Sequence, residues 1–163
     1  MDMLVNLLNL PDVTEIEEKL KEENIVIRRA ITPDMYRVLE FIEKNSGLSA
    51  KGEATVCFSH QPVTLYIATY YDKIVGYACY EATFRSFFGP TRVLDEYQGK
   101  KIGKLLLVKA LEGLRDMGYI YAAIGCVGPV EFYKKCVGAI EIPNSTPGGY
   151  KDFLALCKKE DDK

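Results

Sequence analysis

The run Ile120-Tyr121-Ala122-Ala123-Ile124-Gly125-Cys126-Val127 offers apolar or small side chains at every position, so neither of its faces suits water. A short helix would bury only one stripe of it, whereas a strand covered on both sides buries all of it. The segment therefore predicts a strand in the middle of a sheet, with further layers above and below.

The other patterns arrange themselves around that strand. Ile25 to Ala30 is short and β-branched, as an opening strand would be. Thr32 and Pro33 begin a helix whose apolar positions Met35, Val38, Leu39, Phe41 and Ile42 recur every three to four residues, and Asn45, Ser46 and Gly47 end it. Leu48 to Pro62 fits helix or strand equally well. Val63 to Tyr71 and Ile74 to Thr83 flank Asp72-Lys73 and predict a hairpin, and Phe84 to Leu94 continues as a third strand broken near Gly89-Pro90. From Gly103 to Met117 the residues Leu107, Ala110, Leu111 and Leu114 share one helical face, and Gly118 stops the helix. A short helix after Gly128-Pro129, a strand over Ala139 to Ile142 and an edge strand over Tyr150 to Cys157 complete a mixed α/β domain. At the N-terminus, Leu4, Leu7, Leu8 and Leu10 predict a short amphipathic helix, part of a helical segment over residues 1–24 that packs on a domain spanning 25–158. Residues 159–163 form a charged tail.

Length allows one domain, since 163 residues is close to the usual domain size and 48% hydrophobic residues supply a core. Twenty-one basic against 23 acidic residues leave a net charge of −2, which provides no basic footprint for nucleic acid. A neutral or cationic partner fits better. The five cysteines, Cys57, Cys79, Cys126, Cys136 and Cys157, include no C-x-x-C pair, so neither a disulfide framework nor a metal site is expected, and reduced thiols imply a cytoplasmic protein. No signal peptide and no membrane span are expected either, because the apolar stretch Met3 to Leu10 follows Asp2 and stops at Pro11.

The chemistry concentrates between the third strand and the Gly103 helix. There, Gln98-Gly99-Lys100-Lys101-Ile102-Gly103-Lys104 sets two glycines and three lysines at a helix start. Unpaired N–H groups, partial positive charge and close main-chain approach together suit a pyrophosphate. The loop lacks the Walker spacing G-x-x-x-x-G-K-[ST] and the dinucleotide spacing G-x-G-x-x-G, which argues against ATP and NAD.

The longer stretch from Val93 to Leu106 resembles the acetyl-CoA motif of the GNAT N-acetyltransferase superfamily, Q/R-x-x-G-x-G/A. Gln98, Ile102 and Gly103 match; Lys101 stands where the central glycine is usual. Residues Gly128 to Ala139 are similar to the family's second element, a helix carrying Phe132-Tyr133 and ending at a glycine. The resemblance implies a mostly antiparallel sheet with a V-shaped split, flanked by helices, and transfer of acetyl from acetyl-CoA to a primary amine. It implies that the backbone of Val93, Leu94 and Asp95 holds the thioester and pantetheine arm, that Gln98 to Lys104 hold the pyrophosphate, and that Phe132 and Gly128 border the cofactor. Gly128 occupies about the place of an asparagine that touches the arm in many relatives. Tyr133 is matched to the tyrosine that protonates the departing thiolate, a task a phenol can perform.

For the acceptor's proton, Glu81 is the expected carboxylate, set among Tyr77, Tyr80 and Phe84, with Asp95 and Glu131 as rivals. His60, the single histidine, follows Ser59 but no triad can be read from spacing. Residues 87–91, 127–133 and 137–143 also resemble a bacterial subgroup acting on glucosamine and glucosaminides, which implies an amino-sugar acceptor; a monomer or homodimer is expected. Other amines (polyamine, antibiotic, protein) and a non-catalytic CoA-binding module are the competing readings.

Overall fold

The computed structural model describes residues 1–151 and 154. Seven strands form one sheet: β1 (Met3–Asn6), β2 (Ile25–Arg29), β3 (Leu65–Tyr70), β4 (Lys73–Tyr80), β5 (Phe87–Val93), β6 (Tyr121–Ile124) and β7 (Ile140–Glu141). Their order is β2-β3-β4-β5-β6-β1-β7, and every neighbouring pair is antiparallel except β5 and β6. Four helices cover it: α1 (Thr14–Glu22), α2 (Met35–Cys57), α3 (Ile102–Asp116) and α4 (Val130–Val137).

The doubly apolar run does become an interior strand, β6, hydrogen-bonded on both edges, with Ala122 and Ile124 buried. The chain's own N-terminus supplies one of those neighbours. Met3 to Asn6 is not an amphipathic helix; it is a strand paired with both β6 and β7, followed by a 3-10 turn at Leu7–Asn9. Alternation explains it: Met3 and Val5 are fully buried while Asn6 points to water, a period of two rather than 3.6. The expected strand over Tyr150 to Cys157 falls largely outside the described residues, as does the charged tail.

Two cores lie on opposite faces of the sheet. On one face, α2 packs Val38, Leu39, Ile42 and Ala54 against Leu65, Ile67, Tyr77 and Cys79. On the other, α3 packs Leu105, Leu106, Leu111 and Leu114 with Val75, Ala78, Tyr80 and Phe88. Gly113 is needed there, since a Cβ at that position would lie 2.5 Å from Cζ of Tyr80. Across β4 the sheet is thus a middle layer, which is why that strand is almost continuously buried.

What positions the site is the short contact between β5 and β6. Only Phe87 with Ala123 and Phe88 with Ile124 are paired, after which β6 ends and β5 runs on to Val93. Residues 91–93 keep their partners on β4, after a register shift at Gly89-Pro90, but have an open edge toward β6. Burying an open edge without partners is costly, so it asks for a ligand.

Candidate active site

Two cavities open along this split. The first, about 660 Å³, lies between β5, the start of α3 and α4. Leu94 donates its N–H to the Val75 carbonyl at 2.9 Å. Because antiparallel ladders alternate, the N–H of Val93 points the other way, into the cleft. The Val93 carbonyl accepts from Nε2 of Gln98 at 3.3 Å, and the same amide reaches Asp95 Oδ1 at 3.2 Å, so Gln98 fixes the loop to the strand.

The loop then delivers an uncapped helix. Gly99 has φ 84° and Lys101, the residue before α3, has φ 69° and ψ 17°. The first bond of the helical ladder is Leu105 N–H to the Lys101 carbonyl, 3.1 Å, and no side chain caps the end. The N–H groups of Ile102, Gly103 and Lys104 are therefore left for a ligand. Arg92, Lys101 and Lys104 line the cleft, and no carboxylate does among the described residues. Donors, helix dipole and cations act in one direction, toward an anion such as a pyrophosphate. The left-handed turn at Lys101 also explains why glycine is usual in the resembling motif: an L side chain pays for that backbone, glycine does not.

The second cavity, about 590 Å³, lies between β5, the end of β6 and the middle of α2. It exists because α2 is broken at Gly47 (φ 90°, ψ 177°), after which the helix resumes through Cys57. The ambiguous stretch Leu48 to Pro62 is thus largely helical, and it carries Ser49 and Glu53 to the cavity wall, where Ser46 joins them from before the break. Glu53 is the carboxylate among the described lining residues, and no lysine or arginine stands beside it. Phe88, Thr91 and Tyr133 border both cavities.

Tyr133, on α4, is therefore at the seam. Its ring packs edge-on against Phe88 at 6.2 Å and Phe132 at 5.1 Å, with 6% of the residue exposed. Burial, aided by the nearby Cys136 thiol, pushes its phenol up to about 12, so it stays protonated at neutral pH. A phenol so held serves as a proton donor, not as a base.

Most of the residues singled out from sequence meet here, and some do not. Val93, Gln98, Gly99, Lys101, Ile102, Gly103, Lys104 and Phe132 line the cleft. Lys100 turns away into an ion pair with Glu23 at 2.7 Å, while Leu94, Asp95 and Gly128 stand outside the lining. Pro129 takes the place expected for Gly128. Glu81 borders neither cavity. Its Oε1 accepts from the Tyr119 hydroxyl at 2.6 Å and its Oε2 from the Ser86 N–H at 2.7 Å, and His60 Nε2 contacts its carbonyl at 3.1 Å, so the carboxylate ties the β4–β5 connection together. Asp95 and Glu131 are largely solvent-exposed. Glu53 is the residue that sequence reasoning missed; only a helical reading beyond Gly47 would have placed it.

The thiols also need a correction. Cys57, Cys79 and Cys136 are free, but Cys126 is disulfide-bonded. An odd count without C-x-x-C spacing argues against a framework of bridges, not against a single one. Among the described residues no cluster of metal-ligating side chains occurs, and no helix is long and apolar enough to cross a membrane.

Comparison with known proteins agrees with this geometry. A search of curated protein sequences finds no match. Among solved structures, the chain is similar to a glucosamine N-acetyltransferase region of a fungal multi-domain β-N-acetylglucosaminidase, at TM-score 0.67 and 17% identity over 83% of this chain. It is also similar to a GCN5-related N-acetyltransferase from Sphaerobacter thermophilus, at TM-score 0.60 and 19% identity over 85%. At those identities the likeness concerns the fold; this chain spans 19% of the first protein and 47% of the second. Residues 32–139, about two thirds of the sequence, match the family described as the acetyltransferase (GNAT) family, and the chain belongs to it.

Proposed function

We propose that this acetyltransferase uses acetyl-CoA to acetylate the primary amine of a small molecule, best matched by an amino sugar such as glucosamine. The observation that carries the reading is the pairing of the two cavities: one lined by cations and free N–H groups, the other, among the described residues, by the single carboxylate of Glu53, meeting at a protonated tyrosine. An anionic donor and a cationic acceptor would approach one another across that seam. The cleft fits acetyl-CoA, since its uncapped α3 N-terminus and Lys101 and Lys104 suit the pyrophosphate and the free edge of β5 suits an amide chain.

The residues then divide the work. The Val93 N–H would donate to the thioester carbonyl oxygen as negative charge develops there, a contribution of about 3 kcal/mol in comparable sites. The neutral amine attacks the carbonyl carbon, the C–N bond forms and the C–S bond breaks. Tyr133 gives its proton to the leaving sulfur, because a thiolate would otherwise be expelled into a dry seam. An acceptor that arrives as an ammonium first gives one proton to bulk water through the open second cavity, and the proton shed by its nitrogen after attack leaves the same way while the Tyr133 phenol is restored from solvent.

An amino sugar is favoured over a polyamine by charge: one carboxylate can neutralise one ammonium, and the hydroxyls of Ser46, Ser49 and Thr91 offer partners for a hydroxylated ring. The fungal relative, which is named for glucosamine, agrees with this choice. Both cavities are built from one chain, so a monomer suffices for the reaction. A cytoplasmic setting is supported by the free thiols, while the bridge at Cys126 speaks against it.

The test is direct. Acetyl-CoA at a hundredfold excess over its Kd should stabilise the protein by about 2.7 kcal/mol in thermal unfolding, and ATP and NAD should not. Thiol release should follow with glucosamine and exceed that with spermidine or a lysine peptide in kcat/KM. No thermal shift with acetyl-CoA sinks the cofactor assignment. A shift without thiol release on any amine identifies a CoA-binding module instead, and a tenfold preference for spermidine or the peptide overturns the acceptor class alone.

A further inference from the structure

We infer that Glu53 is the anchor for the acceptor's ammonium group, and that it restricts the enzyme to acceptors carrying a single positive charge. The inference rests on the acetyl-transfer reading above and names the residue that would decide its specificity.

Three observations carry it. First, Glu53 stands in the resumed half of α2, where the break at Gly47 brings it to the wall of the second cavity. Second, its carboxylate is oriented but not neutralised. Oε2 accepts from the hydroxyls of Thr83 and Tyr150, the latter at 2.9 Å, and both donors are uncharged. Oε1 has no partner among the described residues, and no lysine, arginine or histidine there forms an ion pair with Glu53. Burial is what chiefly raises the Tyr77 phenol and the Cys79 thiol, and the Glu53 carboxylate adds to both. A carboxylate held by two neutral hydroxyls beside a cavity is a prepared counter-ion, because the cost of orienting it has already been met in folding. Third, among the described residues the remaining polar side chains of the lining are hydroxyls and a cysteine rather than acids, so they offer a second ammonium no counter-charge.

This separates Glu53 from Glu81 in kind. Both oxygens of Glu81 are engaged by donors of the fold and neither cavity reaches it, whereas Glu53 keeps one oxygen available at the place where an acceptor must arrive.

The experiment measures steady-state thiol release for the wild type, Glu53→Gln and Glu53→Asp, with glucosamine and with spermidine, each at saturating acetyl-CoA. Thermal shift with acetyl-CoA is measured in parallel to confirm that each variant folds and loads. Glu53→Gln should raise the KM for glucosamine at least tenfold, the scale of a lost charge-assisted hydrogen bond. Its kcat should stay within about threefold and its acetyl-CoA shift should match the wild type. Glu53→Asp, which keeps the charge on a shorter arm, should lie between the two. The preference for glucosamine over spermidine should shrink with the Gln substitution. An unchanged glucosamine KM in a variant that still loads acetyl-CoA overturns the role of Glu53 and leaves the acetyltransferase reading in place. A collapse of kcat at constant KM overturns it too, because that pattern belongs to a base rather than an anchor. A wild type that loads acetyl-CoA yet releases no thiol with either amine removes the acceptor reading, and this inference falls with it.

Discussion

Replacing Tyr133 by Phe separates chemistry from packing at the seam of the two cavities. The ring is buried between Phe88 and Phe132, so Phe keeps those contacts and the cofactor should still bind. The hydroxyl makes no hydrogen bond to the described residues, so its removal leaves no orphaned partner and costs little stability at neutral pH. What is lost is the proton donor, and thiol release at saturating substrates should fall by ~10²-fold, two decades or about 2.7 kcal/mol of barrier. The same substitution makes an independent prediction in base. Burial raises the phenol from the ordinary 10.0 to about 12, meaning that the folded state favours the neutral form. The wild type therefore keeps its full stability below pH 10, and the penalty on ionising the buried phenol removes stability as pH rises from about 10 to about 12. With a shift of two units at 1.36 kcal/mol each, the loss across that window is about 2.7 kcal/mol, and Phe, having nothing to ionise, should escape it. Urea midpoints at pH 7 and pH 11 for both proteins measure this, alongside kcat from thiol release. Unchanged kcat refutes the donor role. An alkaline loss as large in the variant as in the wild type refutes the burial argument.

Two further substitutions test the loop and the displaced carboxylate. Lys101→Gly relieves a left-handed backbone that costs an L residue roughly 1–2 kcal/mol, partly offset by glycine's freedom in the unfolded chain. Tm should rise by a few degrees, while loss of one cation from the cleft should weaken acetyl-CoA about two- to fivefold; a fall in Tm would contradict the strain. Glu81→Gln can keep the Ser86 N–H on its amide oxygen and donate its NH₂ to the Tyr119 hydroxyl oxygen, so two charge-assisted bonds become neutral ones, at a cost of about 1–2 kcal/mol and roughly 2–4 °C of Tm per kcal/mol, with the glucosamine KM untouched. A variant of normal Tm that has lost turnover would instead return Glu81 to the chemistry.

Where a segment's local pattern and its tertiary environment agree, the sequence was sufficient. The 120–127 run had one physical solution, and α3 announced itself through the spacing of Leu107, Ala110, Leu111 and Leu114. The hairpin was legible from two β-rich runs, although the two-residue turn is Tyr71-Asp72, one position earlier than the expected Asp72-Lys73, since Tyr70 pairs with Lys73. The N-terminal strand was not legible, because four residues are too few to distinguish a period of two from one of 3.6. Its identity depends on partners at the far end of the chain, Ile124 and Glu141.

The site divides along the same line, and the division has a cause. The donors and cations of the first cavity come from one continuous stretch, the end of β5 running through a loop into α3, with α4 adding the wall of Phe132, Tyr133 and Cys136, so those donors and cations lie within a few residues of one another and chain order reveals them. The second cavity, proposed for the acceptor, is assembled from segments far apart in the chain, the α2 break, β5, the end of β6, Tyr133 of α4 and Tyr150, and nothing local marks their meeting. Glu81 looked suitable because aromatic residues surround it in sequence, but at Glu81 the backbone turns left-handed (φ 52°), and the side chain serves the turn. Glu53 lay in the stretch whose secondary structure was ambiguous, and a broken helix placed it at the cavity. In this fold the part that binds the common cosubstrate is written locally. The part that selects the acceptor depends on how distant segments pack, which is the reason one scaffold serves many acceptors and the reason acceptor identity must be measured.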